Sequence, residues 1–269
     1  MHPFIEESMD KYNDRRATRM TSHSLGDFMH SPALYRMKRD TPEPPERNQA
    51  FVFGTAAHVG ILEGMDKLWT QFAVGGPIND KTGKCYGTGT KKFAEWLADS
   101  GHEDAISTDE ATMIGDMMVA VQAHDKASAL LAGDIVVEGT LLADMGGVPC
   151  QSRIDVFNND TGTIIDLKTC ADLDEFEWDA RKYHYIRQMA FYRAMMNASG
   201  FADIDCKLIA VEKKAPYRVG VWSIADRSVC VEYENIAEAL HLYTHAKTID
   251  QWPTGFEETR ILETKKGWA

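Results

Sequence analysis

Three residues able to do chemistry together are Asp155, Asp166 and Lys168. The last two lie in the apolar stretch GTIIDLKTC, residues 162–170. In an extended segment alternate side chains share a face, so Asp166 and Lys168 point the same way. The preceding Asn158-Asn159-Asp160-Thr161-Gly162 is strong turn chemistry and predicts a hairpin centred near Asp160 and Thr161. Pairing symmetrically about that centre places Asp155 opposite Asp166 and Arg153 opposite Lys168, with Cβ atoms about 5 Å apart. Like charges so placed destabilise a bare sheet. A divalent cation between the carboxylates, and a phosphate against the cations, would turn both repulsions into binding. Carboxylate oxygens suit Mg²⁺ or Mn²⁺ rather than zinc. The plain alternative is a salt-bridged strand pair, Asp155 with Arg153 and Asp166 with Lys168.

Other elements must hold these residues in place. Residues 22–40 predict a helix capped by Ser22 or Ser24, with Leu25, Phe28 and Met29 on its apolar face. The proline-rich residues 40–48 predict a loop. QAFVFGTAAHVGILEG predicts a second helix, kept thin by Gly54, Ala56 and Ala57 so that a neighbour packs close. Residues 75–90 are rich in glycine and threonine and predict a mobile loop. They lack the spacing of a phosphate loop, because Ile78 stands where its first glycine belongs and Cys85 follows Lys84. Residues 108–133 predict one amphipathic helix, capped by Thr108 and packed through Met113, Met117 and Val121. Three strand-like segments follow, then a helix over 178–199, two strands around Ala215-Pro216, and a closing helix over 231–250. This order predicts one α/β domain whose central mixed sheet is flanked by helices. Within it, residues 1–48 form an N-terminal helical segment and loop, and 49–133 a helical part. Residues 134–225 hold the sheet and its crossover helix, and 226–269 a C-terminal helix and tail.

Bulk composition sets limits. The chain has 269 residues, 44% hydrophobic and 26% charged, as in ordinary globular proteins. No run of 18 apolar residues occurs, and the first residues lack the apolar centre of a signal peptide, so a cytoplasmic site is expected. The five cysteines are scattered without a CxxC, which argues against a zinc ribbon, an iron–sulfur cluster or a disulfide framework. A net charge of −12 disfavours non-specific adhesion to nucleic acid but allows a locally basic groove.

The spacing of Asp155 and Asp166-Leu167-Lys168 resembles the PD-(D/E)xK nuclease superfamily. The flanking segments resemble its RecB-like branch: GTAAHVGILE around His58, VVEGTLL around Glu138, and YIRQMAFYRAM with Gln188 and Tyr192. Taken together with HSLGDFMHSPALYR, SRIDVFNNDTGTIIDLKTCADLDEF and AVEKKAPYRVGVW, they look most like the nuclease domain of phage and prophage RecE-type exonucleases (exonuclease VIII), over about residues 22–224. The resemblance implies a restriction-endonuclease-like core and a metal-dependent DNA exonuclease using two Mg²⁺ or Mn²⁺ ions per site. His58, Glu138, Asp155, Asp166 and the Leu167 carbonyl would be the ligands. Asp155, Asp166, Glu138 and Lys168 would be catalytic, with Lys168 orienting or deprotonating the attacking water. Tyr185, Gln188 and Tyr192 share one helical face, and with Arg153 they would contact DNA or support the site. Glu63, about 140° around the helix from His58, stays structural.

The same resemblance implies digestion of double-stranded DNA ends in the 5′-to-3′ direction. The 3′ overhangs would pass to a single-strand annealing protein in phage-type recombination inside a bacterial host. A ring-shaped homo-oligomer is expected. Two other readings remain open: a Cas4-like or repair nuclease acting on single strands or flaps, and a non-catalytic DNA-binding protein of the same fold. The cysteine spacing cannot make the four-cysteine cluster usual for the first. The intact Asp155, Asp166 and Lys168 argue against the second.

Overall fold

The computed structural model describes residues 3–42 and 48–262; positions 43–47 of the expected proline-rich loop lie outside the described residues. The N-terminal part runs α1 (Met9–Asp14), α2 (Ser22–His30), α3 (Pro32–Asp40), α4 (Gln49–His58) and α5 (Met65–Gln71). Then come β1 (Ala73–Val74), α6 (Lys91–Ser100), β2 (Ala105–Ile106), α7 (Thr108–Ala123) and α8 (Asp125–Leu130). The main sheet follows with β3 (Ile135–Met145), β4 (Val148–Asn158) and β5 (Thr163–Cys170). After α9 (Phe176–Lys182) and α10 (Tyr185–Ala198) it resumes with β6 (Asp205–Glu212) and β7 (Val219–Ser223), and α11 (Asp226–Ile249) closes the order.

Strands β3 to β7 stand in sequence order in one five-stranded sheet. Neighbours are antiparallel except β5 and β6, which are parallel and joined through α9 and α10. The mixed α/β sheet is therefore the one the element order predicts. Strand β5 is covered on both faces, and Ile164, Ile165 and Leu167 are fully buried. One face packs with Leu25, Phe28, Met189, Phe191, Val229 and Leu240, from α2, α10 and α11. The other packs with Phe53, Ala57, Ile114 and Met117, from α4 and α7.

Local chemistry breaks several helices that the periodicity alone runs together. Thr21, rather than Ser22 or Ser24, caps α2, and Ser24 completes the capping box. Ser31 ends α2, and its side chain caps α3 by accepting from the Leu34 N–H. Pro32 suits the first turn of α3 because it has no N–H to satisfy there. Ser107, rather than Thr108, caps α7, and His124 leaves helical geometry and caps α8. The helix expected over 178–199 is α9 and α10, divided at His184, whose φ is 57°. Helix α4 passes at His58 into a π-helical turn, Val59–Glu63. Ala56 and Ala57 are buried as expected, but nothing lies within 4 Å of a Cβ built on Gly54; the tight approach is at Gly60, 2.4 Å from Ile114 Cγ2. The short parallel pair β1–β2 is an addition that sequence pattern did not predict.

Candidate active site

The two cores show which way β5 points its side chains. Ile164 belongs to the α10 side, and Ile165 and Leu167 to the α4 side. Asp166 and Lys168 therefore project toward α10. Lys168 Nζ lies 2.5 Å from Asp166 Oδ2 and donates to Gln188 Oε1 at 3.2 Å. It also stands 4.6 Å from the centre of the Tyr185 ring. Gln188 Nε2 in turn donates to the Tyr192 hydroxyl at 2.8 Å. The helical face of Tyr185, Gln188 and Tyr192 is thus turned to the lysine. Asp166 is fully buried, and apart from the ammonium ion pair its carboxylate oxygens have no hydrogen-bond partner among the described residues.

The hairpin register is the predicted one, with Asn158–Thr163, Phe157–Ile164 and Val156–Ile165 paired. The ladder stops there, one pair short of Asp155 and Asp166. Strand β5 stays paired with β6 along all of Thr163–Cys170, whereas β4 follows β3 as far as Val148. The two strands therefore part just where the acids lie. Asp155 reaches across the opening, and its Oδ2 accepts the Leu167 N–H at 2.9 Å. Arg153 does not stand opposite Lys168, and this corrects the expected cation pair. Its Nε donates to Glu138 Oε2 at 2.7 Å and its Nη1 to the Glu7 carbonyl at 3.0 Å. The expected phosphate between two neighbouring cations has no basis in this geometry.

On the other side of β4, the pairs Val137–Val156 and Gly139–Ile154 flank Glu138 and Asp155. Glu138 has φ 53°, a left-handed conformation that costs a non-glycine residue about 1–2 kcal/mol. Strand alternation changes phase at this point. Val136 and Leu141, five residues apart, pack on the same core, and so do Ile154 and Phe157. A regular strand would put each pair on opposite faces.

His58, Glu138 and Asp155 each offer a ligand atom, and these atoms lie within 4.8 Å of one another. His58 Nδ1 is 3.4 Å from Asp155 Oδ2. The structure therefore gathers three of the five expected ligand groups, while Asp166 is turned to Lys168. Burial and the Asp166 charge push the Asp155 carboxyl up to about 8. Burial and Asp155 also raise Glu138, against the pull of Arg153. Burial and the Lys168 ammonium lower His58, which keeps its imidazole neutral and able to donate a lone pair. Burial opposes the charge on Lys168, but Asp166 and Asp155 outweigh it and hold the ammonium above its ordinary value. Two crowded carboxylates, one neutral imidazole and a buried acid met only by the Lys168 ammonium among the described residues fit Mg²⁺ or Mn²⁺.

A cleft of about 620 Å³ leads to Lys168, lined by His23, Tyr183, Tyr185, Arg187 and Gln188 among others. Sequence reasoning missed His23, Tyr183 and Arg187. The one available signal was the Tyr-His-Tyr run at 183–185.

Acids on two diverging strands, a lysine two residues past the second acid and a Gln-x₃-Tyr helix behind the lysine define the PD-(D/E)xK class. Residues 22–265 match the family described as a PDDEXK-like domain of unknown function (DUF3799), and the chain belongs to that family. A provisionally assigned exonuclease from Eubacterium rectale is similar in fold, with TM-score 0.68 and 11% identity over 97% of this chain and 96% of its own. A phage-related exonuclease from Haemophilus somnus 129PT has TM-score 0.35 and 12% identity, over 89% of this chain and 99% of its own. An alkaline exonuclease from Laribacter hongkongensis has TM-score 0.28 and 12% identity, over 90% and 100%. The last two overlap too loosely to carry an argument. No curated protein matches the sequence.

Proposed function

We propose that the chain is a metal-dependent exodeoxyribonuclease that hydrolyses phosphodiester bonds from the ends of double-stranded DNA. The observation that carries this reading is the His58–Glu138–Asp155 cluster beside the Asp166–Lys168 pair. His58, Glu138 and Asp155, with Asp166 and the Leu167 carbonyl beside them, would hold Mg²⁺ or Mn²⁺, two ions per site. When bound, the metal supplies charge stabilisation at the phosphate and a more acidic water.

The chain's own groups do the rest. Without metal, the acid neighbours of Lys168 favour its ammonium form. Beside a bound cation that neutralises those acids, Lys168 would orient or deprotonate the attacking water, and as an ammonium it would offset charge growing on a phosphate oxygen. Gln188, held by the Tyr192 hydroxyl, fixes where that ammonium sits. Arg153 orients Glu138 and offsets its charge.

The family resemblance supports 5′-to-3′ digestion, 3′ overhangs passed to a single-strand annealing protein, a ring-shaped homo-oligomer, and a phage-encoded enzyme in the bacterial cytoplasm. Duplexes labelled at either the 5′ or the 3′ end, with closed circular DNA as control, test the polarity. Early loss of the 5′ label with the circle intact is the expected result. Cutting of the circle would point to an endonuclease.

A further inference from the structure

The corner between α9 and α10 carries aromatic rings that the proposed chemistry leaves unused. Helix α9 ends at Lys182, His184 turns left-handed, and α10 begins at Tyr185. This turn sets Tyr183 beside Tyr185, with ring centres 5.9 Å apart and planes inclined by 30°. Tyr185 is the inner ring, against Lys168. Farther out, Lys182 Nζ lies 4.9 Å from the centre of the Tyr183 ring and 4.6 Å from that of Trp178. From the site outward the order is Lys168, Tyr185, Tyr183, Lys182, Trp178. Tyr183 and Trp178 are each 54% exposed, so core packing does not account for them. Tyr183 and Tyr185 line the cleft that opens on Lys168, together with Arg187. The guanidinium of Arg187 touches the Met29 sulfur at 3.7 Å and forms no ion pair with a carboxylate among the described residues.

We propose that Tyr183 and Trp178 form a stacking platform for unpaired nucleobases of the strand entering the site, with Lys182 and Arg187 taking its phosphates. The inference rests on the nuclease reading and narrows its substrate: the site takes DNA ends that are opened before cleavage. Every base has a π face, so exposed rings in file grip a single strand without reading its sequence. Bases inside an intact duplex are stacked on each other and cannot use such a platform. Lys182 lies over both outer rings in the free protein; an entering base takes its place on the ring face, and the displaced ammonium meets the adjoining phosphate.

The test measures binding of a labelled single-stranded oligonucleotide to the full chain by fluorescence anisotropy, with Ca²⁺ in place of Mg²⁺. A second probe is a blunt duplex carrying 2-aminopurine near its end. Tyr183→Ala and Trp178→Ala should each weaken single-strand binding about fivefold or more and diminish the 2-aminopurine response. Tyr183→Phe should retain both. Wild-type affinity in both alanine variants, or equal losses in Tyr183→Ala and Tyr183→Phe, would overturn the platform. So would variants that sediment as smaller species with unchanged DNA affinity, because the rings would then join copies of the chain. A wild-type protein that neither binds nor hydrolyses DNA would overturn the nuclease reading itself. Wild-type hydrolysis with unchanged binding in the variants would overturn the platform alone.

Discussion

Asp155→Asn should stabilise the metal-free protein while abolishing its activity. Burial and Asp166 push the Asp155 carboxyl from 3.8 up to about 8, so the folded protein holds a proton that the unfolded chain has released. A carboxyl raised in this way destabilises the fold as pH climbs from its unfolded value toward its folded one. The interval from 3.8 to pH 7, at about 1.36 kcal/mol per unit, gives a cost of about 4 kcal/mol. Asparagine carries no such cost, has nearly the same volume, and its amide oxygen can still accept the Leu167 N–H. For a chain of 269 residues, that gain corresponds to a rise in Tm of roughly 8 °C or more. The assay is thermal unfolding in EDTA at pH 5, 7 and 8, repeated with Mg²⁺. The variant should exceed wild type at pH 7, with the gap narrowing toward pH 5, and Mg²⁺ should raise its Tm less. Equal Tm values at pH 7, or a gap that widens as pH falls, would show that Asp155 carries no such cost in the fold.

Other substitutions probe the support of the site. Gln188→Ala removes the hydrogen-bond partner of Lys168 and should lower kcat about 10- to 100-fold with little change in KM, read from steady-state hydrolysis. Gly60→Ala drives a Cβ to 2.4 Å from Ile114 Cγ2 in a tightly packed core, and urea unfolding should show a loss of about 1–3 kcal/mol. Arg218→Ala strands the buried Glu212, to which Arg218 donates at 2.7 and 2.9 Å, and should lower Tm at pH 7. Because Arg218 holds the Glu212 carboxyl down at about 2, this stabilisation is present above 4.5 and fades as pH falls toward 2. The Tm gap between wild type and Arg218→Ala should close over that range.

The hairpin was legible because its turn residues are chemically distinctive, and the observed Val156–Ile165 pairing follows from their symmetry. The acids beyond that pair were legible as residue types but not as geometry. Where β4 leaves β5 depends on β6 and β3 competing for the strands' other edges, which no local pattern encodes. The left-handed Glu138 was equally hidden, since glutamate is a poor predictor of that conformation. It shifts the strand's phase, and with it the strict alternation on which the Arg153–Lys168 pairing relied. Helix ends divided along similar lines. Ser31-Pro32 is a readable stop and start, whereas the left-handed His184 that separates Tyr183 from α10 has no glycine to announce it. Gln188 and Tyr192 were visible as one face of a helix, but which partner that face meets was settled by the crossover from β5 to β6.

The most direct test of the central claim is release of acid-soluble nucleotides from linear duplex DNA. Wild type should release them with Mg²⁺ or Mn²⁺ and stop in EDTA. Lys168→Ala should be slower by about 10²- to 10³-fold while keeping a metal-dependent rise in Tm. Equal release by wild type and Lys168→Ala, or release that persists in EDTA, would contradict the account.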